Sequence, residues 1–453
     1  MTCASLNRLT RLLPAGTVGV FLLALSVRSL ALVLWGPLWW WDCDEYRIIA
    51  VNWLAGKGSL DGFQSVPFVP LRGPVYPLFL AFCLTCSSTS VYLPLFLQQV
   101  LSSAAVTFPL WLGSPLIARR FAIMAAVALS IDPLGVLQGN FPMTEGLFIP
   151  LWLFALYLAT RSLSRGEPRG ELARALFAGV VIGVACMLRP VAQSVIPGVL
   201  LLVLWPRTRL PALAFLAGFT VSVSPWLVRN WQIGNRGLSS GAGMTLLVQT
   251  CWHKIGGQPL EWDPDLSVAW KRMNRDDRMI HRTVTGTREE LVSKGITHSE
   301  FDRRCRNLAF RAILSDPVRF LMALAKNGLH LVTDFPLSLF VPGAQDVGSV
   351  RDIRNMAGSS PSVWGVWGIL GLGPILIVLP LASIGAVAAW LEREPVLLVI
   401  LFGSALLGLA TIVGNRPESR YRLPLHAPVV CLAAAGATVV SRRCAGSRDL
   451  SSS

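Results

Sequence analysis

The run AGTVGVFLLALSVRSLALVLWG, residues 15–36, passes straight into PLWWWDCDEYRIIAVNWLAGKG, residues 37–58. The first half is 22 residues long and carries one charge, Arg28. A helix needs about 20 mainly apolar residues to cross a bilayer. The second half opens on Trp39, Trp40 and Trp41, whose amphipathic rings suit the membrane–water boundary. Three carboxylates follow at once: Asp42, Asp44 and Glu45. One stretch thus predicts a spanning helix, an interface and an acidic outer segment.

The same signal recurs over residues 95–118, 191–206, 210–228, 363–391, 395–414 and 423–440. The chain of 453 residues is 53% hydrophobic and 14% charged, well under the roughly 25% charge of soluble domains. The fold class expected is an all-α polytopic membrane protein with about ten to twelve crossings. Arg8 and Arg11 precede the first apolar run. That run is longer than the roughly 7–15 residues of a signal-peptide core and is followed by no clear cleavage pattern, so it reads as a retained helix. The net charge of +15 would suggest nucleic acid in a soluble protein. Here the cations sit in short loops and tails, the pattern of orientation in an anionic membrane, and no nucleic-acid partner is expected.

Two polar stretches divide the chain. Residues 1–228 read as an N-terminal transmembrane region with a first outer loop at 37–74. Residues 229–318 read as a large extracytoplasmic loop, and 319–453 as a C-terminal transmembrane region with a short basic tail. The loop holding Arg161, Arg165, Arg169 and Arg174 should be cytoplasmic, as should both termini. Four apolar segments (75–93, 95–118, 121–138, 143–160) separate the outer loop 37–74 from that inner loop. Parity requires one of them not to cross, and 75–93 satisfies all loop charges. Segment 319–340, with Arg319, Lys326, His330 and Asp334, is expected to lie at the interface. The nine cysteines form no zinc pattern. Cys83 and Cys86 read as buried apolar residues, and Cys251 with Cys305 could pair if their loop faces an oxidising compartment.

Three groups of residues carry chemistry. Asp42, Tyr46 and Ala50 share a helical face at i, i+4 spacing, with Asp44 pointing elsewhere. An acid at the mouth of a membrane cavity can take a proton from an acceptor or hold a divalent cation; it can also be merely solvated. Glu145, in FPMTEGLF, opens an apolar helix, where a carboxylate also complements the helix dipole. Arginines stand at helix ends or within helices: Arg28, Arg72, Arg189, Arg229, Arg420 and Arg422. A guanidinium fork suits phosphate groups, although a single arginine can equally reach to lipid headgroups.

The order of these pieces resembles the membrane-embedded GT-C glycosyltransferases, in particular protein O-mannosyltransferases and the lipid A aminoarabinose transferases. The pieces are D-x-x-x-Y-x-x-x-A from Asp42, RGPVYP from Arg72, TEGLF from Thr144, LRP at Arg189, SPWLVRNW from Ser224 and RYRLPLHAP near the C-terminus. The resemblance implies a GT-C-like helical bundle and a polyprenyl-phosphate-linked sugar donor. It also implies transfer at the extracytoplasmic face, in a bacterial inner membrane, to an unnamed lipid, glycan or protein acceptor. It points to Asp42 as base by register, but Cys43 interrupts the family's acidic pair, so the base is divided between Asp42 and Asp44, with Glu45 beside them. Glu145 matches the second acidic site. Tyr46 and the arginines are the implied donor-binding set. No nucleotide cofactor is implied; a divalent metal held by Asp42, Asp44 and Glu145 is compatible with the pattern.

A transporter or flippase is the alternative from another class, since it too would place acids and arginines in a membrane cavity. The large loop, the acids near one membrane face and the lack of internal repeats weigh against it.

Overall fold

The computed structural model describes residues 16–38, 41–57, 73–87, 90–163, 168–204, 206, 208–232, 237–238, 242–247, 250, 295–333, 377–414 and 423–450. The side chains of Asp42 and Asp44, and the whole of Arg72, Cys251, Asp334, Arg420 and Arg422, lie outside that set. Helices are the regular structure of the described residues, with no strand among them.

Helix α1, Thr17–Trp35, shows how the sequence handles lipid. Its buried residues are Thr17, Val20, Ala24, Arg28, Ala31 and Leu32, one face at i, i+3/i+4 spacing. The opposite face is just as apolar, with Leu30 58%, Val33 80% and Leu34 64% exposed. A helix apolar all round is stable where its outer face meets hydrocarbon. Gly36 closes it, with φ 67° and its N–H on the Leu32 carbonyl. That left-handed conformation favours glycine. Five described helices are long and apolar enough to cross a membrane: α1 and those at 170–188, 209–232, 395–413 and 423–444. Other segments traverse the bundle in pieces, broken by proline or by short turns.

Helix α2, Trp41–Leu54, and α3, Val75–Cys86, pack on each other. Then come α4, Tyr92–Ala105, α5, Arg119–Ser130, the short α6, Pro133–Gln138, and α7, Glu145–Leu163. Helix α8, Pro168–Leu188, is followed by a 3-10 turn at Pro190–Val195, α9, Ile196–Val203, and α10, Arg209–Gln232. The two prolines at 190 and 197 split the apolar run 191–206 into these two pieces.

The α8–α10 contact rests on small residues. A methyl group at Gly179 would sit 1.9 Å from the Phe215 carbonyl oxygen, and one at Gly218 would sit 2.0 Å from that of Leu176. Gly183 is pressed in the same way on Ser222. Between helices in lipid, close backbone approach replaces the missing hydrophobic drive. Gly385 of the helix at Ile377–Leu391 and Gly436 of the last helix repeat the device.

The bundle has two ends. At one, the Arg161 guanidinium donates to the Trp111 carbonyl at 3.2 Å and that of Arg442 to Pro115 at 3.0 Å; Arg120 contacts the Ser441 hydroxyl. At the other, Leu38 N–H donates to the Asn140 carbonyl at 2.9 Å and Arg189 meets Glu145. Helix α3 keeps to the Glu145 end. Gly73 before it packs on the Met187 carbonyl, and its Tyr76 meets Gln98. Its 12 residues span about 18 Å, against about 30 Å of hydrocarbon. This is the segment that parity singles out as not crossing.

The described part of the large polar loop has a small core of its own. Helix α11, Ala242–Leu247, lies on α12, His298–Ser315, through Met244, Leu247, Phe301, Cys305, Leu308 and Ala312. Asp302 accepts from the N–H groups of Gly243 at 2.7 Å and Met244 at 3.2 Å, capping α11. Thr297 caps α12 by accepting from Glu300 N–H at 3.2 Å. Helix α13, Pro317–Thr333, follows after a turn. Next come α14, Ile377–Leu391, α15, Pro395–Gly414, and α16, Leu423–Leu450.

Candidate active site

The segment GNFPMTEG, residues 139–146, is gripped from several sides before it opens α7. Gln98 and Gln99, adjacent on α4, are both fully buried. Two glutamines in a membrane helix are costly unless their amide groups find partners; here the Gln99 side-chain oxygen has none among the described residues. The Gln98 side-chain amide donates to the Phe141 carbonyl at 3.0 Å and accepts from the Tyr76 hydroxyl at 2.5 Å. The Gln99 amide donates to the Asn140 side chain at 2.7 Å, and Asn140 in turn donates to the Ala31 carbonyl at 3.1 Å. Glycine is required at both ends of the segment. A methyl group at Gly139 would sit 2.4 Å from Gln99, and one at Gly146 would sit 2.6 Å from Gln98.

This clamp fixes Glu145, which is 1% exposed. Its Oε1 meets Arg189 Nη1 at 2.9 Å, and its Oε2 accepts from the Thr144 hydroxyl at 3.1 Å. Glu145 stands in the first turn of α7, where the helix dipole adds to the stabilisation of its charge. Arg189 comes from the end of α8, turned out of the helix by the extended backbone that precedes Pro190. Its side chain remains 17% exposed and lies over the Phe148 ring at 6.0 Å.

Helix α2 docks beside this pair. Cys43 packs with Phe141, Met143 and Leu38. Tyr46 is buried and meets Tyr76 edge to face at 5.0 Å. The buried Tyr46 and Ala50 share the face that the i, i+4 register assigns to Asp42. The backbone carrying Asp42, Asp44 and the half-buried Glu45 therefore runs beside the segment that ends at Glu145.

Arg28 is placed elsewhere. It is 2% exposed and donates to the carbonyls of Ser130 at 3.0 Å and Leu129 at 3.3 Å, the free carbonyls that end α5. Two residues on, Asp132 accepts from Gly135 N–H at 3.0 Å, capping α6, and meets His426 Nδ1 at 3.0 Å. This junction ties α1, α5, α6 and α16 together at the Glu145 end. Arg229 lies over Trp226 at 4.6 Å and donates to Asn230 at 3.1 Å. Asn230 and Trp226 hold the Gly237 and Leu238 carbonyls at 2.8 and 2.9 Å.

Sequence reasoning missed Tyr76, Gln98, Gln99, Asn140 and the Asp132–His426 pair. The signal was available for the glutamines, since a Gln-Gln step in the apolar run LFLQQVL is anomalous in a membrane helix. Asp132 shows the same anomaly between apolar segments. For metal, no group of three His, Cys, Asp or Glu side chains converges among the described residues. Both oxygens of Glu145 are engaged, one by a cation. Oε1 of Glu145 faces the Arg189 guanidinium, so a divalent ion could draw only on Oε2, the oxygen that accepts from Thr144.

Residues 70–228 match the family model for dolichyl-phosphate-mannose-protein mannosyltransferases; Arg72, Glu145 and Arg189 fall inside that span. Among curated proteins no match is found. The fold is similar to that of the archaeal oligosaccharyltransferase AglB from Archaeoglobus fulgidus, solved with an inhibitory peptide and a dolichol-phosphate. The TM-score is 0.50 at 13% identity, over 96% of this chain and 51% of that one. A second structure of the Archaeoglobus fulgidus oligosaccharyltransferase, tethered to an acceptor peptide with the NVT sequon, gives 0.49 and 13%, over 94% and 50%. The chain thus spans about half the length of these structures. It has the GT-C type of membrane-glycosyltransferase fold, and its residues 70–228 carry the pattern of the dolichyl-phosphate-mannose-protein mannosyltransferase family.

Proposed function

We propose that this chain transfers a sugar from a polyprenyl-phosphate-linked donor to an extracytoplasmic acceptor at the Glu145 end of its bundle. The observation that carries the reading is the buried Glu145–Arg189 pair, clamped by Gln98, Gln99 and Tyr76 beside the helix that bears Asp42 and Asp44. In this reading Asp42 or Asp44 takes the proton from the acceptor as its oxygen or nitrogen attacks the anomeric carbon. The bond to the polyprenyl phosphate breaks, and arginines stabilise the charge that grows on the leaving phosphate. Arg189 is suited to that task because it is partly exposed and rigidly held. Glu145 is a positioning residue, holding Arg189 in place. Arg72, Arg229, Arg420 and Arg422 complete the proposed cationic set, with Tyr46 in the wall of the site.

No step is assigned to a metal. Sidedness follows from charge: Arg119, Arg120, Arg161, Arg442 and Arg443 are all exposed and belong to segments that meet at one end. That supports a cytoplasmic Arg161 end, cytoplasmic termini and an inner-membrane location. A transport path would have to continue from Glu145 toward Arg161, but Phe148, Trp152, Leu156 and Ile182 fill that region and are buried. The test is mass spectrometry of glycolipids, glycoproteins and envelope polymers from cells with and without the protein. Loss of one glycosylated product, restored by the native chain and not by the D42N/D44N double variant, supports transfer. Identical profiles contradict it.

A further inference from the structure

Helices α12 and α13 carry an exposed apolar stripe that the small core of the large loop does not use. On α12 the face opposite that core begins with Arg303 and Arg306, both exposed. It continues at helical spacing into Phe310, 52% exposed, and Leu314, 78% exposed. Arg311, also exposed, stands between Phe310 and Leu314 on that side, so cations border the apolar side chains along α12. After the turn, where Asp316 caps α13 by accepting from Arg319 N–H at 3.0 Å, the stripe resumes. Val318, Leu321 and Met322 are 66%, 63% and 68% exposed. Arg319 and Lys326, seven residues apart and both exposed, line one edge of this stripe. Phe320, on the opposite face, is buried in the loop core.

The level of this hairpin is fixed by its far end. Gly328 approaches Ile412, two residues short of the end of α15. Helix α15 starts beside the Arg161 end, where Glu394 bonds Ser114, so Ile412 lies at the Glu145 end. The far end of α13 is therefore held at the Glu145 end of the bundle, and Met322 stands six residues, about 9 Å of helix, before Gly328. Phe310, Leu314, Val318, Leu321 and Met322 would each be stabilised by leaving water for acyl chains. Cations along one edge are positioned to reach headgroups while their stems lie on the apolar surface.

We propose that the α12–α13 hairpin lies in the outer-leaflet interface, with its apolar stripe among the acyl chains and Arg306, Arg319 and Lys326 on anionic headgroups. It is an in-plane lipid-binding surface, and α13 does not cross. Calling that leaflet the outer one rests on the sidedness proposed above; the docking at the Glu145 end stands whether or not the chain transfers sugar.

The test uses the full chain in lipid nanodiscs, with nitroxide labels on single cysteines at positions 306, 314, 318 and 322. The cysteine-substituted background is first checked against the native chain for elution and thermal stability. If it fails that check, the native chain is probed by lipid-soluble carbene labelling of residues 310–322. Labels at 314, 318 and 322 should collide with oxygen and be shielded from an aqueous nickel reagent, at about 5–10 Å below the headgroups. A label at 306 should show the reverse, and carbene should mark Phe310 and Met322 over Arg306. In nanodiscs containing phosphatidylglycerol the labels should lie deeper than in pure phosphatidylcholine, and R319Q/K326Q should remove that difference. Nickel access at 314–322, shielding from both reagents by a protein partner, or a depth at the bilayer centre overturns the docking. Equal depth in the two lipids overturns the role of the cations.

Discussion

At the scale of the residue, the Glu145–Arg189 pair decides most. A buried pair is weak evidence of net stability, but removing one partner strands the other and costs about 3–5 kcal/mol. Sequence alone suggests that Glu145→Gln would leave the fold intact and lower turnover at least about tenfold, the equivalent of roughly 1.4 kcal/mol. The pairing changes that expectation. E145Q and R189Q should each lower the melting temperature of the purified protein, and the double variant should melt above the sum of the two losses. Strictly additive losses in a thermal-shift series would show that the pair is not coupled. Gly146 offers a second test. G146A drives a methyl group into Gln98, so a loss of about 1–3 kcal/mol is expected from overpacking. Shortening Gln98 in that background should recover part of it; no recovery would mean that the clash lies elsewhere.

At the scale of the element, the sequence was legible where a pattern repeats and mute where a partner is needed. The spanning helices and the acid-bearing segment after α1 follow from apolar length and residue type, properties each segment carries alone. Arg28 was legible as a buried cation but not in its role. Its fork can satisfy a phosphate or the free carbonyls ending a helix, and only the approach of α5 distinguishes the two. The Gln98–Tyr76–Phe141 clamp depends on three separate segments meeting, which no local spacing encodes. The α8–α10 crossing gives the sharpest test at this scale. G218V places branched carbon against the Leu176 carbonyl, so it should destabilise the bundle by several degrees in a detergent thermal-shift assay. G19V, where nothing lies within 4 Å, should not. Equal effects would refute close packing as the reason for Gly218.

At the scale of the whole molecule, the account joins a polar site at one end of the bundle to a basic collar at the other. Arg442 and Arg443 should be cytoplasmic and Arg420 and Arg422 outside. Impermeant thiol labelling of single cysteines at these positions, in sealed cells, should modify only the latter two; labelling of the first two would invert the orientation. The central claim is transfer from a lipid-linked donor, and its most direct measurement is chemical. The purified protein would be incubated in liposomes with the polyprenyl-linked sugar pool extracted from cells that lack it, together with their envelope fraction as acceptor. Free polyprenyl phosphate and the newly glycosylated product would be followed by mass spectrometry. The account predicts that both appear in equal amount with the native chain, fall at least about tenfold with R189Q, and vanish with D42N/D44N. Unchanged release and product formation with D42N/D44N, or no release of polyprenyl phosphate by the native chain, would contradict it.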